Sequence, residues 1–135
     1  MQRILVVDDD LDLLDMLRLG FETAGFAVLT ATNGIEALKQ ARTRPELIIL
    51  DLVLPEMDGF TVCETLRRDR ATASIPIVLL TGLCSQFNRF AGLEGGANEY
   101  ITKPVRLEEL IARVKSILSN PGTLARASDK VGVSR

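Results

Sequence analysis

The chain has 135 residues, 47% hydrophobic and 25% charged, with a formal net charge of −2. Those numbers describe one ordinary globular domain with a substantial core and exclude a wholly disordered chain. The absence of a large basic block argues against direct nucleic-acid binding by this segment, and no apolar run approaches the roughly 20 residues of a membrane span.

In chain order, residues 4–7 form an apolar run of strand length that ends in Asp8-Asp9-Asp10. The run starts almost at the first residue, so no secretory leader is expected. Leu11–Thr23 carries Leu14, Leu17 and Phe21 at helical spacing, with Asp10 as its expected N-cap or first-turn acid and Gly25 as its stop. Ala27–Ala31 reads as the second strand. Asn33 is expected to cap a helix over 34–43, which Pro45 closes. Leu47–Leu50 is a third, continuously apolar strand, broken off by Asp51. The segment 52–59, with Pro55 and Asp58-Gly59, cannot extend it and predicts a loop before a helix over 60–70. A fourth strand is predicted over 77–80, then a weaker helix over Gln86–Glu94 that Gly95-Gly96 ends. A fifth strand covers 99–101. The final helix, Leu107–Ser119, has Leu107, Leu110, Ile111, Val114, Ile117 and Leu118 on one stripe and Glu108 and Glu109 in its first turn. Arg106 stands where Ser, Asp or Asn would cap that helix, so a weak cap is expected. Residues 120–135, rich in Gly, Ser, Ala, Arg and Lys, are expected to be a linker or disordered tail, leaving 1–119 as the domain.

Five strand–helix alternations predict an α/β protein: a doubly wound parallel sheet with helices on both faces. Right-handed crossovers leave the carboxyl ends of the strands on one edge, where ligands of open α/β sheets bind. In the order 2-1-3-4-5, strands 1 and 3 flank the point of reversal, and these are the strands that end in Asp8-Asp9 and Asp51. An acidic pocket there either holds a divalent cation or repels itself. A carboxylate beside a hard cation is able to act as a nucleophile toward phosphorus. Histidine is absent. That excludes a His-based triad, a His metal site and a phosphohistidine carried by this chain, so any phosphoryl donor comes from elsewhere. Cys63 and Cys84 lie far apart and are expected to be reduced, buried thiols of a cytoplasmic protein.

Five elements in order carry a resemblance: Val6-Val7-Asp8-Asp9; Leu50-Asp51 with Pro55 and Asp58-Gly59; Leu80-Thr81-Gly82; Gly96-Ala97 before Tyr100; and Ile101-Thr102-Lys103-Pro104. Over residues 3–119 the chain resembles the receiver domain of two-component response regulators. The resemblance implies a flavodoxin-like (βα)5 fold and a signalling role rather than a turnover enzyme. It makes Asp51 the acceptor of a phosphoryl group from a sensor histidine kinase or phosphotransfer protein. It assigns Mg²⁺ to Asp9, Asp51 and the backbone carbonyl of Val53, with Asp8 acting through a metal-bound water. Lys103 would pair with the acceptor carboxylate and then with the phosphoryl oxygens, aimed by a cis bond before Pro104. Thr81 would be the switch hydroxyl and Tyr100 the aromatic that moves inward with it. The face of helix 4, strand 5 and helix 5 would then repack to control a partner, an output domain or a homodimer. Gly82 replaces a commoner alanine and is expected to loosen its loop. Val53 and Leu83 flank the presumed site with apolar side chains, which predicts slow self-dephosphorylation.

Three other readings compete with this one. A phosphohydrolase of the haloacid-dehalogenase type would need an Asp two residues after the nucleophile, where this chain has Val53. A flavodoxin-like FMN module would need a Ser/Thr/Gly-rich loop after strand 1, where three aspartates would repel phosphate. The alternative retained is a receiver-like docking module that phosphorylation does not regulate.

Overall fold

Alternate residues of the central strands feed two separate cores, which is why those strands read as continuously apolar. The computed structural model describes residues 1–119; the expectation for 120–135 lies outside the described residues. Strands β1 (Arg3–Val7), β2 (Ala27–Ala31), β3 (Leu47–Leu50), β4 (Ile77–Thr81) and β5 (Glu99–Thr102) alternate with helices α1 (Leu11–Thr23), α2 (Gly34–Ala41), α3 (Gly59–Arg68), α4 (Gln86–Glu94) and α5 (Leu107–Ser119). Every strand pairing is parallel, in the order β2-β1-β3-β4-β5, the flavodoxin-like arrangement expected.

Ile4 and Val6 of β1 join Ile49 of β3 and Val78 and Leu80 of β4 under α1 and α5, which contribute Leu14, Leu17, Phe21, Leu110, Val114 and Ile117. Phe21 meets Phe26 edge-on, ring centroids 5.7 Å apart, a geometry worth about 0.5–1.5 kcal/mol beyond burial. Leu5, Val7, Ile48, Leu50, Ile77 and Leu79 point the other way and pack with Ala37, Ala41, Val62, Cys63, Leu66 and Tyr100. Of α4, Gly92 is buried, while Phe87 and Phe90 are exposed.

Helix starts follow the caps. Asp10 Oδ1 accepts from the amides of Asp12 and Leu13, Asn33 from Glu36, and Asp58 from Thr61, each such cap being worth about 1 kcal/mol. Arg106 contributes its carbonyl, which accepts from Leu110 N at 3.0 Å. Two helix ends differ from expectation. α2 stops at Ala41 rather than 43, because Arg42, Thr43 and Arg44 each bond back three residues and Arg44 turns left-handed (φ 63°) ahead of Pro45. α3 runs Gly59–Arg68 rather than 60–70, since Asp69 is already extended. Cys63 is buried, but Cys84 is exposed, contrary to expectation, because it lies in the β4–α4 loop outside both cores. Burial pushes the Cys63 thiol up to about 11. Among the described residues, no helix is long and apolar enough to cross a membrane.

Candidate functional site

Register brings the two acidic strand ends together. Val7 pairs with Leu50, so Asp8 and Asp51 leave the sheet side by side at its carboxyl edge. Their amides remain tied to the sheet, Asp8 N to Ala31 O and Asp51 N to Val7 O, both at 3.1 Å. Both are buried, with 3% and 5% exposure. One Oδ1 of each turns to a local amide: Asp8 accepts from Asp10 N at 2.9 Å and Asp51 from Val53 N at 3.1 Å. The loop after Asp51 is pressed tight at Gly59, where a Cβ would lie 2.3 Å from Asp51 O and 2.6 Å from Leu52 Cα. Only glycine lets the start of α3 approach that backbone so closely.

Lys103 closes the cluster. Its Nζ donates to Asp8 Oδ2 at 2.7 Å and to Asp51 Oδ2 at 2.8 Å. β5 delivers it there: Thr81 pairs with Thr102, Lys103 N donates to Thr81 O at 2.8 Å, and the Lys103–Pro104 bond is cis. Burial raises the Asp8 carboxyl above its ordinary value, aided by the Asp51 charge and only partly offset by Lys103 and the Asp10 amide. For Lys103, burial works toward a lower value, but hydrogen bonds to Asp51 and Asp8 outweigh it, and the ammonium is held above its usual range.

Asp9 is exposed and is not one of the carboxylates that Lys103 bridges. Val53 is 55% exposed. Among the described residues, no three acidic, histidine or cysteine side chains converge into a metal cage. A cation here would therefore take carbonyl or water oxygens beside the carboxylates. An all-oxygen, carboxylate-rich donor set suits a hard dication that keeps several waters, as Mg²⁺ does.

Thr81 is fully buried, and its Oγ1 accepts from Leu83 N at 3.3 Å. The Leu83 carbonyl in turn accepts from the Tyr100 hydroxyl at 2.5 Å. Leu83 is thus grasped at both ends of its backbone, by Thr81 on one side and Tyr100 on the other. Tyr100 is 2% exposed and lies within the core. Gly82 meets open space where a Cβ would be, so packing does not demand glycine there.

Sequence reasoning placed Asp8, Asp51, Thr81 and Lys103 at one edge, and the structure brings them together. It did not find the Leu83 linkage, which is made by backbone atoms and has no side-chain signature. It also missed Arg89 of α4, whose guanidinium stands 5.3 Å from the Tyr100 ring centroid.

A family model described as response regulator receiver domain matches residues 4–115. The chain is 43% identical over 129 residues to the DNA-binding dual master transcriptional regulator RpaA of Synechocystis, which covers 95% of this chain and 54% of that protein. It is also 43% identical over 129 residues to the alkaline phosphatase synthesis transcriptional regulatory protein PhoP of Bacillus subtilis, covering 95% of this chain and 53% of that protein. The chain spans about half the length of the curated relatives it matches. Among solved structures, a CheY-like response regulator receiver domain protein from Methanospirillum hungatei superimposes with a TM-score of 0.85 at 31% identity, covering 91% of this chain and 98% of that one.

Proposed function

The chain belongs to the response regulator receiver domain family of two-component systems, and from that premise we propose that Asp51 is its phospho-acceptor. The observation that carries the proposal is the Asp8–Lys103–Asp51 cluster: two buried carboxylates at adjacent strand ends, bridged by one ammonium at 2.7 and 2.8 Å. An Asp51 carboxylate oxygen attacks the phosphorus of a phosphohistidine on a partner kinase or phosphotransfer protein. The P–O bond forms as the P–N bond breaks, and the electron pair leaves with the imidazole nitrogen. Lys103 transfers its hydrogen bond from Asp51 to a phosphoryl oxygen, stabilising charge where it develops. Asp9, Asp51 and the Val53 carbonyl, with Asp8 through a water, would hold Mg²⁺, which when bound offsets the carboxylate charge and favours approach of the phosphoryl group.

The Thr81 hydroxyl accepts from Leu83 N and keeps its own proton to donate to a phosphoryl oxygen. Movement of Thr81 is passed through Leu83 to Tyr100 and so to the face of α4, β5 and α5. That face holds a cavity of about 270 Å³ lined by Arg89, Tyr100, Glu109 and Arg113 among others. With Phe87 and Phe90 exposed on α4 (78% and 58%), it is suited to docking a partner, an output domain or a second copy of the chain. Residues 1–119 form the receiver. Phosphorylation acts as a population shift between two arrangements of the face.

The test is intact mass after incubation with acetyl phosphate, with Mg²⁺, with EDTA, and for Asp51→Asn. One added phosphoryl group that requires both Mg²⁺ and Asp51 is expected, decaying over minutes or longer because Val53 and Leu83 hinder an attacking water. No adduct under any condition would favour a docking module that phosphorylation does not regulate.

A further inference from the structure

We infer that Met57, seated in the room left by Gly34 at the start of α2, is a positioning residue for the loop between β3 and α3, and that it keeps the Val53 carbonyl in place for the proposed Mg²⁺. The inference rests on the metal assignment proposed above. The Val53 side chain is exposed, so its peptide is held through its neighbours. On one side the loop is closed at its stem, where Gly59 N donates to Leu52 O at 2.8 Å. On the other it turns sharply over residues 55–57, where Met57 N donates to Pro55 O at 2.7 Å. Glu56, in the middle of that turn, is left-handed (φ 69°). A residue with a Cβ is disfavoured there, so contacts beyond the turn must hold it.

Met57 supplies that hold. It packs, partly buried, against the core that contains Leu50 and Leu52. Its side chain lies against Gly34. A Cβ on Gly34 would come 3.0 Å from Met57 Sδ, 3.1 Å from Met57 Cβ and 2.9 Å from Val62 Cγ2. Gly34 is helical and is not among the glycines at positive φ, and alanine would suit α2 better. Its lack of a side chain is therefore explained by the room that Met57 and Val62 occupy. Leu54 also packs against this core; Met57 is the anchor on the far side of the left-handed residue. Without that anchor the turn relaxes toward conformations that glutamate prefers, and the nearby Val53 carbonyl loses its fixed direction.

Mg²⁺ binding is measured by isothermal titration calorimetry on the full, unphosphorylated chain, well below each variant's thermal transition. Met57→Ala and Gly34→Ala should each weaken binding about tenfold, the low end for groups that orient a metal's ligands. Met57→Leu should bind as wild type. Asparagine tolerates the left-handed region, so adding Glu56→Asn to Met57→Ala should restore much of the lost affinity. That substitution removes a negative charge, which by itself weakens cation binding, so recovery reports the backbone. Leu38→Ala, in the same core but outside the loop, should lower Tm and leave Mg²⁺ binding unchanged. Equal affinity in wild type, Met57→Ala and Gly34→Ala overturns the inference and leaves the metal assignment standing. So does an equal loss in Leu38→Ala, which makes the effect a general loosening, or a Met57→Ala affinity that Glu56→Asn does not raise. A wild type that takes up no Mg²⁺ overturns the metal assignment, and this inference with it.

Discussion

Lys103, at the carboxyl edge of the sheet, sits between the buried carboxylates of Asp8 and Asp51, whereas Arg67, at the amino edge, sits among neutral oxygens. From α3, Arg67 donates to the carbonyls of Gly96, Ala73 and Ile75 and to Asn98 Oδ1, at 2.8 to 3.0 Å. Asn98 Oδ1 also accepts from Ile77 N, so one guanidinium ties α3 to the entries of both β4 and β5. Burial lowers the basicity of Arg67, yet a guanidinium stays charged. The two cations respond differently to added charge. Lys103 is held by whole charges, so a dication or a phosphoryl group rewrites its preferred position. Arg67 is held by dipoles that the backbone fixes, and nothing arriving at the far edge alters them. The carboxyl edge is held by charges with which an added charge would compete, the amino edge by fixed dipoles.

The largest effect that would test this division is on chemistry. Lys103→Ala should slow phosphoryl incorporation from acetyl phosphate by about 100-fold, read as intact mass against time. A rate close to wild type would remove Lys103 from the reaction and break the contrast. Next comes Arg67→Met, which strands several partly buried acceptors. It should cost about 2–3 kcal/mol and lower Tm by about 8–15 °C. Below its transition the variant should still incorporate phosphoryl groups within a few-fold of wild type. If the folded variant loses that reaction as Lys103→Ala does, the edges are not separable.

The smallest effect sharpens the contrast through pH. The Asp8 carboxyl is raised, so the folded chain holds that proton more tightly than the unfolded chain. Stability from this group is greatest at low pH and is lost as pH rises from 3.8 through the folded value. Asp8→Asn removes that loss. Its Tm should exceed wild type at pH 7, and the gap should close as pH falls toward 3.8. Lys103 bears on the alkaline side. Its raised value means that its contribution is complete below 10.5 and lost as pH climbs through the folded value. A gap between Asp8→Asn and wild type that is the same at pH 4 and pH 7 would show that the folded chain does not hold the Asp8 proton more tightly than the unfolded chain.

What could be read from the sequence was whatever repeats locally or ends abruptly. The apolar runs of β1, β3 and β4, the Asp10 and Asn33 caps and the stripe of α5 each state their own conformation within a few residues. Asp8 and Asp51 could be brought together because parallel topology fixes where strand ends lie. The rest depended on encounters across the chain. Arg67 looks like one more helix cation, since a guanidinium that binds carbonyls needs no carboxylate at a telling spacing. The close packing of Leu79 and Tyr100 against α4 uses a missing side chain at Gly92, which periodicity does not register. The exposure of Cys84 follows from a loop leaving the core, and composition alone had assigned it to the interior.

Leu83 carries two independent assignments in one residue. Its peptide group links Thr81 to Tyr100, while its side chain packs, partly buried, against the core. Both hydrogen bonds are made by backbone atoms of Leu83, so neither uses the side chain itself. If the side chain shields the phosphoryl group as proposed, the duration of a signal and the route by which it is relayed would be separately adjustable at this position. A lineage could retime its response here by changing one codon without rewiring what the response reaches.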